Sequence, residues 1–249
     1  LSRGLLEKNV VVGNALVDMY AKCGVLDSAL EVLEVLPFRD VVSWNALIAG
    51  YAQQGQGHEA IHCFERMRSE GLSPNAITYT CILKACGNTE AIDKGAHIHE
   101  VIVSRGFLEK DYILATALVD MYAKCGVLCK AQQLLEAIPG HNVAPWNALI
   151  SGHIKQGQSQ KALCCFERMQ RKGLPPHAIT LVCILKACGS IGAIEKGKRI
   201  HDFVLSSGML DKDMVLGSSL INMYAKCGVF TKAKEVLELL QVQNIVSWA

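Results

Sequence analysis

The stretch ALVDMYAKCGVL, residues 15–26, returns unchanged at residues 117–128, and a close variant, LINMYAKCGVF, stands at residues 220–230. The offset is 102 residues each time. A chain that rewrites its own wording at a fixed interval is assembled from repeated structural units. An interval this long exceeds the usual solenoid repeat, so it is composite. Three segments fill it: residues 10–40, 41–75 and 76–111, then 112–142, 143–177 and 178–213. Residues 214–244 open a third round, 245–249 start a further unit that is cut short, and 1–9 read as the tail of a preceding long unit. On this reading the chain is a fragment of a longer array.

Within each unit the apolar residues follow the helical period. In the first they fall at Leu16, Met19 and Tyr20, then at Leu26, Ala29, Leu30 and Leu33, which puts each group on one helix face. Gly24 between the runs permits the left-handed conformation that ends a helix, and Pro37 stops the second run. The next unit repeats the logic with Leu47, Ile48 and Tyr51, a Gln/Gly turn, then Ala60, Phe64 and Met67, closed by Gly71 and Pro74. The alternation of a strand is missing. A lone helical hairpin cannot bury its apolar face, whereas stacked hairpins share one core. The expected architecture is all-α: a right-handed superhelical solenoid of helix-turn-helix repeats in a single domain.

Bulk composition agrees. Of 249 residues, 51% are hydrophobic and only 19% charged, which suits units covered on two sides. A net charge of +2 excludes neither nucleic-acid nor protein partners. No apolar run reaches the ~18 residues a spanning helix needs. Most of the eleven cysteines recur in register: Cys23/Cys125/Cys227, Cys63/Cys165, Cys81/Cys183 and Cys86/Cys188. With no C-x-x-C pair they read as small core hydrophobes rather than metal ligands or disulfides. Trp44, Trp146 and Trp248 also share one slot, which argues for packing between hairpins.

An enzyme is not expected. A zinc deaminase needs H-x-E and P-C-x-x-C segments, and neither was found. Phosphate loops and nucleophile motifs are likewise missing. His99 and His201 occupy one repeated slot, which points to a structural role. No metal, cofactor, small-molecule substrate or membrane partner is expected.

The segments VVSWNALIAGYAQQGQGHEAIHCFERMRSEGLSPN (41–75), ALVDMYAKCG, and CILKACG (81–87 and 183–189) resemble the pentatricopeptide repeat family. The alternating lengths 31, 35 and 36 resemble its subclass of short, standard and long units. The resemblance covers essentially the whole chain. It implies a binder of single-stranded RNA that reads one base per repeat. The fifth and last residues of a unit would choose the base: Asn14/Asp40, Asn45/Asn75, Thr80/Asp111, Thr116/Asn142, Asn147/His177, Val182/Asp213 and Ser218/Asn244. The second residue would wedge it: Val11, Val42, Ile77, Ile113, Ala144, Ile179 and Val215. The family's pairings imply 5′-U-Y-G-A-Y-N-A-3′, with poor discrimination at Val182 and at His177. Asn, Ser and Thr in a first turn are also ordinary helix caps.

Lys22, Lys124 and Lys226 share one slot near the end of the first helix, and Lys155 takes it in a standard unit. Lysine there suits phosphate contact, and equally the negative end of a helix dipole. The resemblance further implies a mitochondrial or chloroplast setting, C-to-U editing or another RNA-processing step for the parent protein, and accessory editing proteins docking on the long units. The competing reading is a protein-interaction scaffold like the tetratricopeptide repeats.

Overall fold

The computed structural model describes residues 10–108, 111–138, 142–210 and 213–246. Among these residues every regular element is an α-helix; there are fourteen, and no strand. The chain divides into two compact units, Leu1–Pro139 and Gly140–Ala249. The first holds four hairpins: α1 (Val10–Lys22) with α2 (Leu26–Val35), α3 (Val41–Gln53) with α4 (Gly57–Ser69), α5 (Ala76–Thr89) with α6 (Ile92–Ser104), and α7 (Tyr112–Lys124) with α8 (Leu128–Ala137). The second holds three: α9 (Ala144–Lys155) with α10 (Ser159–Arg171), α11 (Ala178–Ile191) with α12 (Ile194–Ser206), and α13 (Met214–Lys226) with α14 (Phe230–Val246).

Local chemistry sets these bounds. At the start of α3 the Asp40 carboxylate accepts from the Ser43 N–H at 2.9 Å, and the Asp40 N–H donates to Ser43 Oγ at 3.0 Å. Two otherwise unpaired donors are thereby satisfied at once. Asn75 and Thr78 repeat the arrangement for α5. Inside α3, Trp44, Leu47, Ile48 and Tyr51 are buried, each aliphatic one contributing ~1.5–3 kcal/mol on leaving water. The turn after α3 closes on Gly55 at φ 78°. In the α11–α12 turn Gly192 does the same at φ 67°, while its counterpart between α5 and α6 is Glu90, held left-handed at φ 56°.

In each unit the first helices of successive hairpins form an inner layer: α1, α3, α5 and α7 pack in sequence, as do α9, α11 and α13. A Cβ added at Gly87 would lie 3.3 Å from the Met121 Cα, and one at Gly189 would lie 3.2 Å from the Met223 Cα. Glycine is needed there because the backbones come so close. The second helices pack mainly on first helices and leave clefts between themselves. One of about 330 Å³ lies between α4 and α6, lined by Ile61, Phe64, Ile82, Lys94 and Ile98. Its counterpart between α10 and α12, about 230 Å³, is lined by Leu163, Phe166, Ile184, Lys196 and Ile200.

Three expectations need correction. Met19 and Tyr20 do not form the buried face of α1; Val17 and Ala21 do, and Met19 is 43% exposed where its counterpart Met121 is fully buried. Met121 sits over Gly87 and Gly95 of the preceding hairpin; the residues before Val10 lie outside the described residues. Cys23 is exposed, whereas the Sγ of its counterpart Cys125 reaches the Cys86 carbonyl. Cys129 and Cys164 are exposed too, so the core reading holds best for Cys63, Cys86, Cys165 and Cys188. Finally, α14 runs through residue 244 to Val246, 17 residues where α2 and α8 have 10. Pro37 and Pro139 follow those two helices, but the corresponding residue here is Gln241. Without proline nothing blocks the next hydrogen bond. Residues 1–9 and Trp248 lie outside the described residues, as does the Asn244 side chain.

Candidate nucleic-acid interface

The first turn of each inner helix carries the residues singled out above. The second-place residues are exposed although apolar: Val11 76%, Val42 62%, Ile77 62% and Ile113 53% in the first unit, Ile179 69% and Val215 62% in the second. Ala144 is exposed as well. An aliphatic left in water at every helix start is unexplained by packing and forms a row of small apolar ledges.

Beside two ledges the fifth and last residues are brought together. Asn14 Nδ2 donates to both Asp40 carboxylate oxygens, at 3.2 and 3.1 Å. Asn45 Nδ2 donates to Asn75 Oδ1 at 3.2 Å. Burial pushes the Asp40 carboxyl up, but the Ser43 N–H, the Asn14 amide and the Ser43 hydroxyl outweigh it and hold it below the usual carboxylate value. Asp40 is therefore an anionic acceptor at neutral pH. The hydroxyl-bearing residues behave differently. Thr80, Thr116 and Ser218 each donate to the carbonyl four residues back, of Ala76, Tyr112 and Met214, at 2.9 Å. Their one proton is used internally, so they offer lone pairs outward. Asp111, Asn142 and Asp213 cap the helices that follow, accepting from the N–H of Ile113, Ala144 and Val215 at 2.9 Å. Asn147 is partly buried, Val182 has no polar atom to offer, and His177 is exposed, its N–H donating to Thr180 Oγ1 at 3.3 Å.

The repeated lysines are less available than their spacing suggests. Lys22 Nζ lies 2.6 Å from Asp18, and Lys124 lies 2.8 Å from Asp120 and 3.2 Å from Asn88 Oδ1. Lys226 has Asn222 in place of that aspartate and is exposed; Lys155 is exposed as well. Sequence reading passed over Lys84 and Lys186, both exposed on the inner helices α5 and α11. It also passed over Thr78 and Thr180, which are wholly buried and whose hydroxyls donate to Asn45 Oδ1 at 2.7 Å and Asn147 Oδ1 at 2.6 Å. Their capping spacing is visible in the sequence, but a partner 33 residues back is not.

The histidines and tryptophans are engaged in packing. His99 and His201 pair with Tyr122 and Tyr224 hydroxyls at 2.9 and 2.8 Å, their rings edge-on. Trp44 and Trp146 are buried, the former donating to Glu70 at 3.1 Å. His58, Glu59 and His62 have the H-E-x-x-H spacing on α4, unremarked in the sequence reading. Both histidines are exposed, and no cluster of three metal-ligating side chains exists among the described residues. Burial raises the Cys63, Cys86 and Cys188 thiols to about 11, so they stay neutral. No helix among the described residues is long and apolar enough to cross a membrane.

Comparison with known proteins places this geometry. The PPR repeat family matches residues 39–88 and 141–190, and the PPR repeat matches residues 14–39 and 218–245. The chloroplastic pentatricopeptide repeat-containing protein At4g18520 of Arabidopsis thaliana is 35% identical over 240 residues, 96% of this chain and 39% of that protein. The mitochondrial At1g06140 of the same plant is 36% identical over 244 residues, 98% of this chain and 44% of that protein. The chain thus spans less than half the length of these relatives. Among solved structures, PPR10 from maize superposes with a TM-score of 0.75 at 23% identity, over 97% of this chain and 34% of that one. PPR10 in complex with an 18-nt psaJ RNA element gives 0.74 at 21%, over 98% and 35%. The fold is that of the PPR10 solenoid, and with repeat matches over more than half its length the chain belongs to the pentatricopeptide repeat family.

Proposed function

We propose that this chain binds single-stranded RNA in a sequence-specific manner, one base per repeat, with units at 10–40, 41–75, 76–111, 112–142, 143–177, 178–213 and 214–244 in short, standard, long order. The observation that carries the reading is the coupling of Asn14 to Asp40 and of Asn45 to Asn75 beside the exposed Val11, Val42 and Ile77. A ledge takes the face of an unstacked base, and the paired polar groups meet its edge.

The hydrogen-bond polarities support the letters. Asp40 accepts from the N3–H of uracil while the Asn14 amide donates to a ring carbonyl. Thr80, Thr116 and Ser218, with their protons used internally, accept from purine amino or imino groups. The predicted strand is 5′-U-Y-G-A-Y-N-A-3′. Val182 and His177 offer no defined edge to their letters. Lys84, Lys186 and Lys226, with Lys22, Lys124 and Lys155, supply phosphate contacts and the salt dependence they bring. The relatives named chloroplastic and mitochondrial support an organellar setting. There the chain serves as the address-reading part of an RNA-processing or C-to-U editing factor without catalysis of its own, and its long units receive accessory proteins.

The test is affinity for RNAs that vary one letter at a time. Thr116→Asn should move the preference at the fourth letter from adenine to a pyrimidine, and the matching base change should restore affinity. Mismatches should cost ~1–3 kcal/mol each. Equal affinity for all four letters there, in wild type and variant alike, would sink the reading in favour of a protein-binding scaffold.

A further inference from the structure

We infer that Thr78 and Thr180 are positioning residues for base selection: each fixes the amide polarity of the reader in the unit before it. The inference rests on the RNA reading above and adds to it the residue that decides which face of an asparagine a base meets.

A carboxamide has an acceptor end and a donor end of nearly equal shape, and an unrestrained one can present either. At Asn45 the choice is made by the protein. The Thr78 hydroxyl lies 2.7 Å from Asn45 Oδ1 and 3.1 Å from Asn75 Oδ1. It has one proton, which the shorter contact takes. Its lone pair already accepts from the Asn75 N–H at 3.1 Å. Thr78 is wholly buried, so water does not compete for the bond. Asn45 Nδ2 gives one proton to Asn75 Oδ1, and the second is left for a ligand. Thr180 holds Asn147 in the same way at 2.6 Å.

The short unit supplies the contrast. Ser43 stands at the equivalent third place, but its hydroxyl donates to the Asp40 carbonyl at 2.9 Å. Asn14 Oδ1 is consequently buried with no hydrogen-bond partner among the described residues. The same reader amide is therefore locked in standard units and half-anchored in the short one.

Locking has a chemical consequence. Asparagine recognises adenine by donating to one ring nitrogen while accepting from the exocyclic amino group. Held against the buried Thr78 hydroxyl, Oδ1 is drawn toward the protein interior and away from a base, so that second bond is lost. The remaining N–H meets the O2 carbonyl shared by uracil and cytosine, while adenine, reduced to one of its two bonds, is disfavoured.

The experiment is the affinity ratio of pyrimidine to adenine at the second letter, measured for wild type, Thr78→Val and Thr78→Ser. A ratio within one variant cancels any loss of folded fraction. Thr78→Val should reduce it about three- to tenfold, the worth of one net hydrogen bond, and leave the ratio at the fourth letter unchanged, while Thr78→Ser, whose hydroxyl can turn to the backbone as that of Ser43 does, should lie between wild type and valine. Thr180→Val should lower the smaller ratio at the fifth letter, beside His177, in the same direction, which keeps the test open if Thr78→Val does not fold. An unchanged ratio in the valine variants, with wild type still discriminating, overturns the positioning role. A wild type that does not discriminate at the second letter overturns the RNA reading itself.

Discussion

The inner and outer helix layers are built to different tolerances. Inside each unit the first helices approach until an added Cβ would press on the neighbouring backbone, as at Gly87 against Met121 and Gly189 against Met223. The second helices leave clefts of about 230 and 330 Å³ between them. Exposed ledges and reader pairs sit on the tight layer. A reading surface needs constant spacing between successive selectors, and close-packed helices supply it because they have little room to slide. The outer layer has no such duty and closes each hairpin with less exact packing.

The largest expected effect tests that contrast directly. Trp44→Ala, in the fully buried inner layer, should cost ~3–5 kcal/mol, whereas Phe203→Ala, 42% exposed beside the outer cleft, should cost far less. Urea denaturation gives both, and similar losses would break the comparison. Gly87→Val should follow at ~1–3 kcal/mol through overpacking, since a Cβ there meets the Lys124 side chain at 3.1 Å and the Met121 Cα at 3.3 Å. In the opposite direction, Glu90→Gly should stabilise by ~1 kcal/mol, because a left-handed residue other than glycine is strained and Gly192 already solves the same turn.

Next comes acid. Burial lowers the His99 pKa, with Lys130 adding to the effect and Glu100 opposing it. Burial also lowers that of His201, where Asp202 and Glu235 oppose and Lys232 adds. Both are therefore held neutral in the folded chain, and the unfolded chain binds their protons more readily. The stability so contributed is present above the ordinary value near 6.5 and is lost as pH falls below it. Thermal midpoints should drop between pH 7 and 5, and the double variant His99→Gln, His201→Gln should show a shallower drop. A slope identical to wild type would remove these junctions from the acid response. The smallest effect belongs to Lys94 and Lys196, each 2.5 Å from a glutamate with both partners about half in water. Alanine at either should change stability by no more than ~0.5 kcal/mol, less in high salt.

Much of the fold was legible because helical hairpins are a local matter. Gly24, Gly55 and Gly126 mark turns, the capping pairs mark starts, and the 102-residue offset gives the stacking for free. What escaped depends on neighbours distant in the chain. Met19 and Met121 sit in the same wording, yet Met121 is buried against Gly87 and Gly95 of the preceding hairpin while Met19 is exposed. Asp18 and Asp120, four residues before their lysines, were readable as partners, yet repetition drew attention to the lysines alone. The reader positions came from resemblance. Their donor and acceptor polarities needed coordinates, because Asn45 takes its orientation from Thr78 and Asn14 from Asp40.

That bond from Thr78 to Asn45 bears on anyone who would rewire the molecule. Treating the array as interchangeable cassettes, cut at unit ends such as Asn75/Ala76, would hand each transplanted selector a foreign third residue. On the reading proposed above, junctions placed just beyond Thr78 or Thr180 would carry selector and anchor together.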